Sequence, residues 1–94
     1  MIEVLRFHAT WCGPCRMMKP VWDKVAVNDK DTNFVSIDID ENSQEASKHK
    51  ITVVPTIVIL KDGVEVDRLT GMQTGSSILE AIERKQMIVT GKQS

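Results

Sequence analysis

The chain has 94 residues, enough for one small domain. Twelve basic and 13 acidic residues leave a formal net charge of −1, which argues against a basic nucleic-acid footprint and against long-range attraction to anionic membranes. Hydrophobic residues at 41% argue against a disordered chain, and the most apolar stretch, residues 51–60, is too short to span a bilayer and contains Pro55.

Residues 2–8 read as a strand. Val4, Leu5 and Phe7 are apolar on both faces, as in a sheet interior, while Arg6 and His8 interrupt the run. Trp11-Cys12-Gly13-Pro14-Cys15 then opens a helix, because Pro14 fits a first turn where a missing N–H costs nothing. Cys15, Met18, Trp22 and Val25 recur at i, i+3, i+7 and i+10 as one apolar stripe. Pro20 lies inside this helix and is expected to kink it. Residues 34–39 read as a second strand. Asn42 or Ser43 caps a short polar helix through about His49. Residues 56–61 form a third strand, and Asp62-Gly63 makes a tight hairpin to a fourth at 64–70. Thr74 or Ser76 caps a last helix with Ile78, Leu79 and Ile82 on its apolar stripe. The order β-α-β-α-β-β-α predicts an α/β fold whose first two strands are parallel through a right-handed crossover. Residues 1–87 are assigned to the domain and 88–94 to a C-terminal tail, with Met87, Ile88 and Val89 free to extend the last helix's packing.

Two thiols separated by two residues at a helix start can close a small disulfide ring and reopen it. Cys12 sits at the helix mouth, where free N–H groups and the positive dipole end stabilise a thiolate. Cys15 lies one turn further in. The asymmetry makes Cys12 the attacking thiol and Cys15 the resolving one. A purely structural disulfide here would close a very short loop and constrain little. Zinc would need more ligands than one C-x-x-C, and His8 and His49 show no metal-binding spacing. No metal and no organic cofactor is expected. With no secretory segment legible in the first residues, the expected location is cytoplasmic.

The run Trp11-Cys12-Gly13-Pro14-Cys15-Arg16-Met17-Met18-Lys19-Pro20 resembles the active site of the thioredoxin family and the helix behind it. Val54-Pro55-Thr56 is similar to the family's cis-proline loop, Lys61-Asp62-Gly63 to its hairpin turn, and Thr70-Gly71 to the stretch before its last helix. The resemblance implies a minimal thioredoxin fold, a four-stranded mixed sheet flanked by helices. It implies a cis Pro55 facing the cysteines, with the Val54 backbone turned towards substrate. Trp11, Gly13, Pro14, Val54, Pro55 and Gly71 become the implied substrate groove. Trp11 is either its rim or a core aromatic. Gly71 either admits a substrate backbone or makes a plain turn, Met72 is a soft contact or packing, and Trp22 is read as packing. The implied activity is protein-disulfide reduction by a monomer, re-reduced by an electron donor of the thioredoxin-reductase kind. Two other functions stay open: an assembly module whose thiols are dispensable, and a metal-delivery protein.

Three departures from the family pattern stand out. Only 11 residues precede Cys12, where thioredoxins usually carry one more strand and helix. The strand at 34–39 therefore becomes an edge, which Asp38 and Asp40 would protect, and a missing helix cover accounts for Glu3 and Arg6 in the first strand. Second, the family's buried aspartate six residues before the first cysteine is Arg6, and the lysine near it is Ser36. Arg6 either lowers the pKa of Cys15 and makes the pair more oxidising, or reaches solvent and affects nothing. Third, His8 stands where the family usually has tryptophan. It either shuttles protons or fills polar space at the strand end.

Overall fold

Side-chain alternation along the first strand, β1 (Ile2–His8), decides the two layers of the molecule. Ile2 and Val4 point into one core, and Leu5 and Phe7 into another on the opposite face. The structure is a computed structural model and describes residues 1–86. The domain boundary at 87 and the tail at 88–94, with the packing expected of Met87, Ile88 and Val89, lie outside the described residues.

Three further strands complete the sheet: β2 (Asn33–Asp38), β3 (Thr56–Lys61) and β4 (Val64–Thr70). Their spatial order is β2-β1-β3-β4. β2 runs parallel to β1, whereas β3 is antiparallel to both β1 and β4. This is the mixed four-stranded sheet that the element order predicts. β2 begins and ends one residue earlier than expected, with Asn33 opposite Glu3. Ile39 still donates its N–H to the His8 carbonyl at 2.9 Å. Asp62 and Gly63 have φ of 52° and 83°, the paired positive values of the tightest hairpin turn. The register slips between Ile59 and Leu60, where β4 carries an extra residue.

Helices α1 (Gly13–Asn28) and α3 (Gly75–Gln86) cover one face. The buried residues of α1 are Cys15, Met18, Trp22 and Val25, the four of the apolar stripe. The helix continues through Pro20. Met18, Trp22, Ile57, Ile59, Ile78 and Ile82 fill this core, and burying a side chain of that size contributes about 1.5–3 kcal/mol. Leu79 departs from expectation. It is 42% exposed, because Ile78, Ala81 and Ile82 carry the buried stripe and Leu79 lies one position round from it. It lines an open cavity between α1 and α3 with Val21, Val25 and Gly75.

Helix α2 (Ser43–Lys48) covers the other face, over Leu5, Phe7, Ile37 and Val58. The single explanation expected for Glu3 and Arg6 fails. By alternation only Glu3 is on the α2 side, half-buried and accepting a hydrogen bond from Asn33. Arg6 lies under α1, 3% exposed, with Cζ 5.6 Å from the Trp22 ring centroid.

Local caps settle two alternatives. Thr74 caps α3, its Oγ1 accepting the Ser77 N–H at 3.1 Å while Ser77 Oγ accepts the Thr74 N–H. Asn42 holds the N-cap position of α2, but its side chain turns back to donate to the Asp38 carbonyl. The far end of α2 is closed by Arg68 of β4, which donates to the carbonyls of His49 (2.6 Å) and Lys50 (3.4 Å) and pairs with Glu65. Among the described residues no helix is long and apolar enough to cross a membrane.

Candidate functional site

Cys12 occupies the N-cap of α1, with Pro14 in the first turn where the helix has no intrahelical use for an N–H. The Cys12 Sγ accepts the Cys15 N–H at 3.2 Å. A sulfur held on a free helical N–H, at the positive end of the dipole, is stabilised as an anion when the bond to its partner opens. Cys12 and Cys15 form a disulfide with a Cα–Cα distance of 5.2 Å. Cys12 is 5% and Cys15 2% exposed. The expected difference in depth is small in this oxidised state, because both sulfurs pack in one cluster with Ala9, flanked by Ile39 and Val54.

The Val54–Pro55 peptide is cis, as the resemblance implies. The Val54 carbonyl oxygen lies 3.7 Å from Cys12 Sγ. Pro55 is fully buried, because Thr56 Oγ1 donates to the Val53 carbonyl at 2.8 Å and folds the loop inward. What the loop exposes is Val53, 51% accessible, near the same end of the sheet as Trp11 (64%) and Met72 (49%). Gly71 donates its N–H to the Pro55 carbonyl at 2.8 Å, which ties it to the cis-proline loop. Its φ of 82° suits glycine, and the space beside its Cα is open. Gly13 also faces open space and Pro14 is exposed.

Trp11 is exposed, which excludes a core aromatic, and its Nε1 donates to Asp40 Oδ2 at 2.9 Å. Asp40 is exposed just beyond the end of β2 and is bonded to this tryptophan. Asp38 holds the turn after β2 by accepting the N–H groups of Asp40 and Glu41. Asp40, Thr56 and the clasp from Arg16 Nη1 to the Thr10 carbonyl (2.7 Å) are the parts of the site that sequence reading misses. For Asp40 the sequence holds no signal, since its partner is 29 residues away.

Arg6, His8, Cys15, Arg16 and Lys19 line a cavity of about 230 Å³ behind the disulfide. Arg6 does not reach solvent: its Nε and Nη2 donate to Ser36 Oγ at 3.2 and 3.1 Å. Burial pulls the Arg6 pKa below the ordinary arginine range, and Asp23 opposes that. Burial also holds the His8 imidazole below its ordinary value, helped by Arg6 and Lys19 and opposed by Asp38. Folded His8 therefore binds protons less readily than unfolded His8. The unfolded chain takes up more protons as pH falls below the ordinary value of about 6.5, so stability drops on acidification through that window and is retained above it. His8→Gln should lose less stability than the parent between about pH 7.5 and pH 5, measured by urea unfolding. Equal losses would contradict this. Among the described residues no group of three His, Cys, Asp or Glu side chains comes together as metal ligands.

A cysteine pair at a helix N-terminus, packed against a cis-proline loop at one end of a mixed sheet, defines a thiol–disulfide oxidoreductase. Comparison with known proteins gives the family. The family model described as Thioredoxin matches residues 2–84. Thioredoxin from Staphylococcus saprophyticus is 38% identical over 84 residues, covering 88% of this chain and 81% of that protein. A mutant thioredoxin from Halobacterium salinarum superposes with a TM-score of 0.84 at 35% identity, over 94% of this chain and 77% of the other. Thioredoxin from Fasciola hepatica also gives 0.84, at 38% identity, over 88% of this chain and 79% of the other. The chain belongs to the thioredoxin family.

Proposed function

We propose that the chain reduces protein disulfides by two successive exchanges. The Cys12 thiolate attacks one sulfur of a substrate disulfide, forms a mixed disulfide and expels the first substrate thiolate. The Cys15 thiolate then attacks the Cys12 sulfur. The Cys12–Cys15 bond closes and the second substrate thiolate leaves. A donor dithiol of the thioredoxin-reductase kind returns the two electrons.

The observation that carries this reading is the Cys15 N–H on Cys12 Sγ at the mouth of α1. It supports a low-pKa attacking sulfur with its resolving partner already in bonding range. The groove proposed for substrate is Trp11, Gly13, Pro14, Val54, Pro55 and Gly71. An extended substrate segment would lie along the Val54 backbone as a short added strand, with Pro55 as a buried support and not a contact surface. The exposed Trp11 and Val53 suit an apolar peptide flanking its cystine. We take the chain to act as a monomer in the cytoplasm, where a reducing pool keeps the pair open.

With dithiothreitol as the electron source, the protein should accelerate reduction of a two-chain, disulfide-linked protein, read as loss of the interchain bond. The Cys12→Ser, Cys15→Ser double variant should give the dithiothreitol rate alone. Equal rates with parent and double variant would overturn the proposal.

A further inference from the structure

A buried guanidinium is costly unless something of opposite charge compensates it. Arg6 is 3% exposed and stays protonated at neutral pH. Among the described residues no carboxylate forms an ion pair with it. Its hydrogen-bond acceptor is the neutral Ser36 hydroxyl, and its guanidinium lies over the Trp22 ring. Asp23 is the carboxylate whose field favours the charge, and Asp23 is itself bonded to Lys19 at 2.7 Å. The cavity that Arg6 shares with Cys15 holds no carboxylate either. Its other titratable groups are His8 from β1 and Arg16 and Lys19 from α1, and Asp38 of β2 acts on His8.

We infer that Arg6 is the counter-ion of the Cys15 thiolate, so that an opposite charge enters the cavity they share only when the disulfide is reduced. In the oxidised state found here both sulfurs are neutral. Two electrons from a donor dithiol break the Cys12–Cys15 bond. Cys12 at the N-terminus of α1 stays S⁻, and the Arg6 charge lining the same cavity keeps Cys15 S⁻ as well, so reduction consumes no proton where a protonated Cys15 would take one up. The charge stabilises the reduced form and lowers the Cys15 pKa. The pair is accordingly more oxidising than the same pair without the charge.

The inference rests on the dithiol reading above, but it is tested without any protein substrate, so failure of one is distinct from failure of the other. Two variants remove the compensation by different routes. Arg6→Met deletes the charge at similar apolar volume. Ser36→Asp keeps the charge and supplies a resident carboxylate, which makes the thiolate dispensable. Each is equilibrated with a series of oxidised and reduced dithiothreitol, and the Cys15 pKa is read from thiolate absorbance in a Cys12→Ser background. Both should raise the Cys15 pKa by about one unit. Both should move the equilibrium about tenfold towards the disulfide, which is about 30 mV for two electrons. Arg6→Lys should stay close to the parent. If Arg6→Met does not fold, Ser36→Asp alone decides. An unchanged thiol pKa and an unchanged equilibrium in the folded variants would overturn the inference.

Discussion

Cys12→Ser will lower the rate of disulfide exchange by about 10³-fold or more, the scale expected when a nucleophile is removed from a site that works as a unit. A serine hydroxyl at the N-cap keeps the helix, since serine is itself a preferred cap. The loss is therefore chemical and not structural. Cys15→Ser should behave differently, because the first attack does not need it. Its reaction with a small aromatic disulfide should give a rapid burst of one leaving thiol per chain. Cys12→Ser should give no burst, and its remaining Cys15, inside α1 and not at its N-cap, should react slowly. A burst in Cys12→Ser equal to that in Cys15→Ser would contradict the assignment.

Phe7→Ala will cost about 3–5 kcal/mol, the range for emptying a large aromatic site in a core. Phe7 is fully buried between β1 and α2, with Leu5, Ile37, Ala46 and Val58 around it, and its ring lies 5.6 Å from that of His49. The small domain has little to spare, since total stability is about 5–15 kcal/mol for proteins of this kind. The same substitution loosens the strand that carries Arg6 and His8 and leads into the cysteine loop. Urea unfolding checks it: a midpoint shifted by less than about 1 kcal/mol's worth would mean the α2 face contributes little. Phe7→Leu, which keeps most of the volume, should cost much less.

Much of this molecule could be read from its residues. The apolar stripe of α1 named its four buried members because a helix face is set by spacing alone. The Asp62-Gly63 turn was legible because its dihedrals demand those residue types. The cysteine pair was legible for a chemical reason, two thiols one turn apart at a helix start. What the sequence hid depended on the third dimension. Arg6 interrupts an apolar strand, and its local pattern does not say which face it takes. The packing of α1, the register that sets it opposite Ser36, and the Trp22 ring decide that. Leu79 looked like core, and three better-placed neighbours displaced it. The sequence does not show that Pro55 is fully buried, and a single hydroxyl on Thr56 bonds the Val53 carbonyl within that loop. Asp40 on Trp11 joins two loops that only the parallel pairing of β1 and β2 brings together.

The central claim is that Cys12 makes the first bond to a protein disulfide and Cys15 breaks it. The most direct measurement takes reduced Cys15→Ser, mixes it with a disulfide-bonded protein, quenches with acid and maps the linked peptides by mass spectrometry. A covalent mixed disulfide through Cys12 that persists in Cys15→Ser, and is absent from the parent within the same time, is the predicted result. No adduct at Cys12, or an adduct that the parent retains equally long, would contradict it.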